Sequence, residues 1–212
     1  MSANCCNHTA ANGGPRYRAI LWIALAVNTA MFFVELATSI VSGSASLAAD
    51  AADFAGDAVN YGLSLAAIAA GGFWASRTAL LKGYAMAVYG MGVLAFTAWR
   101  VAGGEPPEPV MMGVVGTLAL TANLGVAWLL YAYRNGDANM RSVWLCTRND
   151  ALGNLAVLAA AAGVFGTGTL WPDATAALLM AALSLLSSRE VIRRARAELG
   201  AMHSTQPVES HH

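Results

Sequence analysis

The chain has 212 residues, of which 57% are hydrophobic and 11% charged, and its formal net charge is zero. A soluble domain carries about 25% charged residues, so this composition excludes an ordinary water-soluble fold, and the neutral balance offers nothing to a nucleic acid. The few charges fall between long apolar runs, the patterning of an all-α integral membrane protein.

Residues 1–17 are polar and lack the basic start, apolar core and cleavage site of a signal peptide, so they are expected to form a flexible cytosolic segment. Within it Cys5, Cys6 and His8 place three soft ligands in four residues, either a metal-capture motif or a chance cluster. The third cysteine, Cys146, is predicted to lie inside the membrane, which leaves no disulfide framework. Six candidate spans follow in residues 18–194, each near the roughly 20 residues a bilayer requires. They run from about Ala19 to Val41, Leu47 to Ala70, Gly83 to Val101, Val110 to Tyr133, Val143 to Phe165 and Ala174 to Leu186. The second has the weakest hydropathy because it carries Asp50, Asp53 and Asp57, which suits a helix facing the protein interior. An Arg-rich amphipathic end, Ser188 to Leu199, closes the membrane region, and residues 195–212 read as a short polar tail. No internal repeat is evident.

The loops set the orientation. Arg16 and Arg18 precede span one, Arg77 and Lys82 lie between spans two and three, Arg134 and Arg141 between four and five, and Arg189, Arg193, Arg194 and Arg196 follow span six. The alternate loops, Ser42 to Ser46, Gly103 to Pro109 and Gly166 to Asp173, contain no Lys or Arg. The positive-inside rule therefore puts both termini in the cytoplasm. Arg100 is the exception, placed where a long side chain can snorkel.

Two pairs of ligand-type residues stand out, Asp53 with Asp57 and Cys146 with Asp150. Partners four apart share a helix face, so each pair can aim two groups at one point. Carboxylates inside a bilayer cost several kcal/mol unless they face a cavity, a partner or an ion. Four ligand atoms from two helices suit a tetrahedral divalent metal. With span two entering from outside, Asp53 and Asp57 fall roughly 9 and 15 Å below the outer surface, and Cys146 and Asp150 roughly 5 and 11 Å from the inner one. In a core of about 30 Å the pairs can meet near the midplane. Asp50, one turn outward on the same face, is either an outer waypoint or proton relay, or a group that caps the helix start. Cys146 is either a thiolate ligand or a small apolar filler. Asn60, Asn123, Asn149 and Asn154 could support ligands or simply join helices, and Glu35 and Asn28 more often join helices.

At these positions the chain resembles the cation diffusion facilitator family of metal/proton antiporters. Span two reads Ser42-Gly43-Ser44-Ala45-Ser46-Leu47-Ala48-Ala49-Asp50-Ala51-Ala52-Asp53-Phe54-Ala55-Gly56-Asp57, against a family pattern of S-G-S-L-A-L-x-A-D-A-x-H-x-x-x-D. Span five reads Cys146-Thr147-Arg148-Asn149-Asp150-Ala151-Leu152-Gly153-Asn154, against H-x-x-x-D-x-L-x-S. Asn28, Glu35, Asn123 and Asp173 agree as well. Both motif histidines are replaced, by Asp53 and Cys146, and the family's C-terminal cytoplasmic domain and His-rich loop are absent from the sequence.

The resemblance implies a secondary transporter rather than an enzyme, in the cytoplasmic (inner) membrane as a multi-pass protein and without a resident cofactor. Zinc is the expected cargo, with cadmium or cobalt as alternatives, bound by Asp53, Asp57, Cys146 and Asp150 and exchanged for protons by alternating access. The expected partners are the metal ion, protons, the lipid bilayer and a second copy of the chain. The altered ligands also admit a non-transporting metal sensor or accessory subunit. The orientation is testable: in Ser76→Cys and Asn139→Cys the new thiol is expected to react with an impermeant maleimide only from the cytoplasm, and in Pro107→Cys only from outside. The reverse pattern would refute an N-in, C-in topology.

Overall fold

The computed structural model describes the backbone of residues 14–70, 75–135 and 138–204 and most side chains within them. The apolar runs form six long α-helices: α1 (Pro15–Ser42), α2 (Ala45–Ala70), α3 (Ala75–Gly103), α4 (Pro109–Leu130), α5 (Ala138–Thr167) and α6 (Trp171–Ser204). A 3-10 turn, Tyr131–Tyr133, extends α4, and no strand occurs among the described residues. Among the described residues, five segments are long and apolar enough to cross a membrane: Pro15–Ser42, Leu80–Gly103, Pro109–Tyr133, Asp150–Thr167 and Trp171–Ala197. The stretch outside this set is α2, whose three aspartates lower its hydropathy as the sequence suggests.

Short, chemically specified turns separate the helices. Gly43 ends α1 in the left-handed region (φ 71°), and a Cβ there would run into the Arg100 guanidinium. Pro109 starts α4, with Glu108 as its cap, its carboxylate accepting from the Val110 and Met111 amides at 3.1 and 2.6 Å. The Glu108 amide in turn donates to the Ser42 carbonyl at 3.0 Å, tying the α3–α4 turn to the α1–α2 turn.

The helices overrun the hydropathy spans, α5 for example beginning at Ala138 so that Arg141 lies within it, and two of these boundaries matter most. Helix α3 begins at Ala75, so Lys82 is not a loop residue; it is buried, and its ammonium donates to Asn60 Oδ1 on α2. Helix α6 runs unbroken to Ser204, carrying the Arg-rich segment with it. There Glu190 holds Arg193 and Arg194 at 2.7 and 2.6 Å, i,i+3 and i,i+4 pairs that favour helix without any apolar requirement.

Helices pair as α1 with α2, α3 with α6 and α4 with α5, while α2 also packs on α3, α5 and α6. The outer faces are apolar: Trp22, Phe33, Trp128 and Phe165 are exposed. The interior is unusually polar, since the buried stripe of α1 contains Asn28, Glu35, Ser39 and Ser42 and that of α2 contains Asp50, Asp57, Asn60 and Ser64. Apolar outside and polar inside is the arrangement a lipid solvent selects.

Apolar clusters flank these polar stripes. Near the Gly43 turn, Leu47, Val93, Met112, Val157 and Met180 pack together. Near the start of α1, Tyr17, Leu21, Tyr61, Leu65, Val126 and Leu130 do so. A smaller contact of Met31, Phe54 and Ala119 lies between.

The start of α2 is held by α6. Ser44 Oγ accepts from the Leu47 amide at 3.1 Å and donates to Asp173 Oδ1 at 2.7 Å. Asp173 also accepts from the Ala45 and Ser46 amides at 2.8 and 3.0 Å. One carboxylate from the first turn of α6 thus satisfies amides that α2 cannot pair within itself. Asp173→Ala is expected to free these donors at a cost on the order of 2 kcal/mol, so amide exchange at Ala45 and Ser46 should rise roughly 30-fold. Unchanged exchange in that segment would refute the cap.

Candidate metal centre

Helical spacing alone puts Asp50, Asp53, Asp57, Asn60 and Ser64 near one face of α2, and the packing of α2 on α5 brings that face to Asp150. The carboxyl groups of Asp57 and Asp150 meet at hydrogen-bonding range. Both residues are buried, and Asp150 Oδ2 has no hydrogen-bond partner. Tyr61, one turn further along α2, donates to Asp57 Oδ2 at 3.4 Å and lies 2.6 Å from Thr147 Oγ1 on α5. With the Tyr61 proton given to Asp57, the Thr147 hydroxyl donates to Tyr61. This chain fixes the register of α2 against α5 immediately beside the acidic pair.

Asp53 is half-buried and stands next to the pair rather than in it. With Asp150 it lines a cavity of about 340 Å³ between α2, α5 and α6, completed by Gly153, Ala156, Leu179 and Met180. Gly153 makes the approach possible: a Cβ there would lie 3.9 Å from both Asp50 Oδ1 and Asp53 Oδ2, and any branched side chain would extend into them. Among the described residues, no three His, Cys, Asp or Glu side chains converge closely enough to hold one ion. Cys146 sits on α5 one turn before Asp150, but its side chain lies outside the described residues, as do Cys5, Cys6 and His8.

The surrounding polar residues sort themselves by partner. Asn123 Nδ2 donates to Asn154 Oδ1 at 3.2 Å, joining α4 to α5. Asn60 receives Lys82, a positive charge that acts on Asp57 and Asp53 from one side. Asn28 returns to its own helix, donating to the Ala24 carbonyl at 2.8 Å. Asp50 does not cap α2; Ser44 and Asp173 do, and Asp50 instead faces Glu35 of α1. Hydropathy could not reveal Lys82 or Asp173 in these roles, because each acts on a helix distant in sequence.

A helical membrane protein with carboxylates gathered on the shared faces of two helices is built to handle cations. Residues 21–199 match the cation efflux transmembrane domain, and the chain belongs to that family, the cation diffusion facilitators its two motifs resemble. It is similar to the metal cation efflux system protein CzcD of Cupriavidus metallidurans, 27% identical over 172 residues, covering 76% of this chain and 54% of that protein. It is also similar to a cadmium, cobalt and zinc/H(+)-K(+) antiporter of Bacillus velezensis, 24% identical over 205 residues, covering 88% of this chain and 64% of the relative. The chain therefore spans between about half and two thirds of the length of these relatives.

The contact between α2 and α5 gives a direct test. In a Cys146→Ser background, Asp57→Cys combined with Asp150→Cys is expected to cross-link with a mercuric ion, joining fragments cut between α2 and α5. Failure to cross-link under conditions where each single thiol is labelled would refute the contact.

Proposed function

We propose that the chain is the membrane domain of a divalent transition-metal exporter that exchanges its cargo for protons. The observation that carries this reading is the meeting of Asp57 and Asp150 from two helices inside a cation efflux domain. Asp53, Asp57, Cys146 and Asp150 are the proposed ligands, two from α2 and two from α5 at the same four-residue spacing. Zinc is the proposed cargo, with cadmium or cobalt as alternatives, in keeping with the metals named for the Bacillus antiporter. A thiolate with three carboxylates suits ions of borderline softness.

Proton exchange follows from the donor set. Carboxylates and thiolates bind metal only when deprotonated, so each arriving proton competes with the ion and each departing ion favours protonation. Alternation of one site between the two sides then couples the opposite movements. In this reading α2 also crosses the membrane, which makes six spans, both termini are cytoplasmic and the protein resides in the inner membrane. It is a transporter rather than an enzyme, without a resident cofactor, and a second copy of the chain is its proposed partner. Cys5, Cys6 and His8 in residues 1–17 deliver metal to the domain formed by residues 18–194, and residues 195–212 form its tail.

Asp57→Asn and Asp150→Asn preserve shape and remove charge. Each is expected to lower zinc-driven proton flux in proteoliposomes by at least ~100-fold, with the protein still correctly inserted. Wild-type flux in either variant would sink the shared site. Zinc binding without proton-coupled flux in the wild type would instead identify a metal sensor. In the same assay Cys146→Ser is expected to weaken cadmium transport more than zinc, and Cys146→His to recover zinc better than cadmium. Wild-type transport of both ions by Cys146→Ala would make the cysteine a packing residue.

A further inference from the structure

On the buried stripe of α1, the polar neighbours of Glu35 find partners in their own helix: Asn28 donates to the Ala24 carbonyl, Ser39 to Leu36 at 2.8 Å and Ser42 to Thr38 at 2.7 Å. Glu35 is different. It is 0% exposed, and neither carboxyl oxygen has a hydrogen-bond partner. Its carboxyl group faces that of Asp50 on α2, which is 1% exposed and whose Oδ2 is likewise unpartnered. The other Asp50 oxygen, Oδ1, lies against Gly153 of α5 beside Asp53 Oδ2. Two acceptor-only groups, face to face and cut off from water, require something positive between them. Lys82 does not supply it, since its ammonium is held at Asn60, about ten residues or roughly 15 Å along α2 from Asp50.

We propose that Glu35 and Asp50 form a second cation seat, built from oxygen alone, which holds a divalent metal ion in transit to or from the cavity lined by Asp53 and Asp150. Its place in the path rests on the exporter reading above; its ability to bind an ion does not. Asp50 is the link, because its carboxyl group meets Glu35 and its Oδ1 borders the Gly153 gap that admits Asp53. Carboxylate oxygens without sulfur make a harder and less selective seat than one containing Cys146. Such a seat suits passage, where an ion must be accepted and released, rather than selection.

The test counts zinc bound per chain by equilibrium dialysis of the full chain in nanodiscs. Glu35→Gln and Asp50→Asn are each expected to bind one ion fewer than wild type. Asp150→Asn should lose a different ion, and its combination with Glu35→Gln should lose both. Counting against wild type cancels any ion taken by Cys5, Cys6 and His8. A wild-type count in Glu35→Gln means that the pair holds only a proton and overturns the proposal. A wild-type count in Asp150→Asn, with one ion lost in Glu35→Gln, overturns the central site and supports this seat. The wild-type protein provides a further arm that no folding defect can confuse. Dicyclohexylcarbodiimide attacks buried protonated carboxyls, and zinc is expected to slow its attachment to Glu35 by about tenfold, because metal and proton compete for the same oxygens. Equal labelling with and without zinc overturns the proposal.

Discussion

An ionised carboxylate in a bilayer is several kcal/mol uphill unless something positive shares its surroundings, and the interior of this chain holds Glu35, Asp50, Asp53, Asp57 and Asp150 together. That constraint shapes the rest of the fold. Helix α2 carries three of the five and falls below the hydropathy of a spanning segment. It is tolerated because α1, α3, α5 and α6 pack around it and keep its acidic face from lipid. Apolar clusters flank the polar stripes, so the acids lie in a polar interior with restricted access to water.

The same constraint explains why the polar residues divide into two kinds. Some are partnered across helices: Asp173 by three donors from the start of α2, Asn60 by Lys82, and Asn123 through a single hydrogen bond to Asn154. These hold helices together. Others have acceptor oxygens with no donor: Glu35, Asp50 and Asp150. A buried polar group without a partner is costly, and most so when it carries a full charge.

Much of this was legible in the sequence. Apolar runs of bilayer length gave the helices, and the i,i+4 pairs singled out Asp57 and Asp150, which do meet. What stayed hidden depends on contacts between distant segments. Asp173 reads as an ordinary first-turn acid of α6, and only the tertiary structure shows it capping α2, 128 positions earlier. Lys82 reads as a loop charge because hydropathy penalises lysine, yet Asn60 gives it a buried partner. The length of α6 beyond Leu186 was missed because hydropathy follows the membrane and helix formation does not stop at its edge. Asp50 was open between capping and ion handling, and the Ser44–Asp173 arrangement supplies the cap without it.

The capping of α2 by α6 has a consequence for biogenesis. A ribosome makes α2 before Asp150 and Asp173 exist, so this polar helix first meets the insertion machinery with its leading amides open and most of its acidic neighbours still untranslated. Its own hydropathy gives little reason to enter lipid; α1 and α3 reach it first, and the groups that meet its acidic face and close its first turn arrive only with the last two helices. The first turn of α2 can therefore be closed only once α6 has been made, and a nascent chain stalled before α6 would be missing the group that closes it.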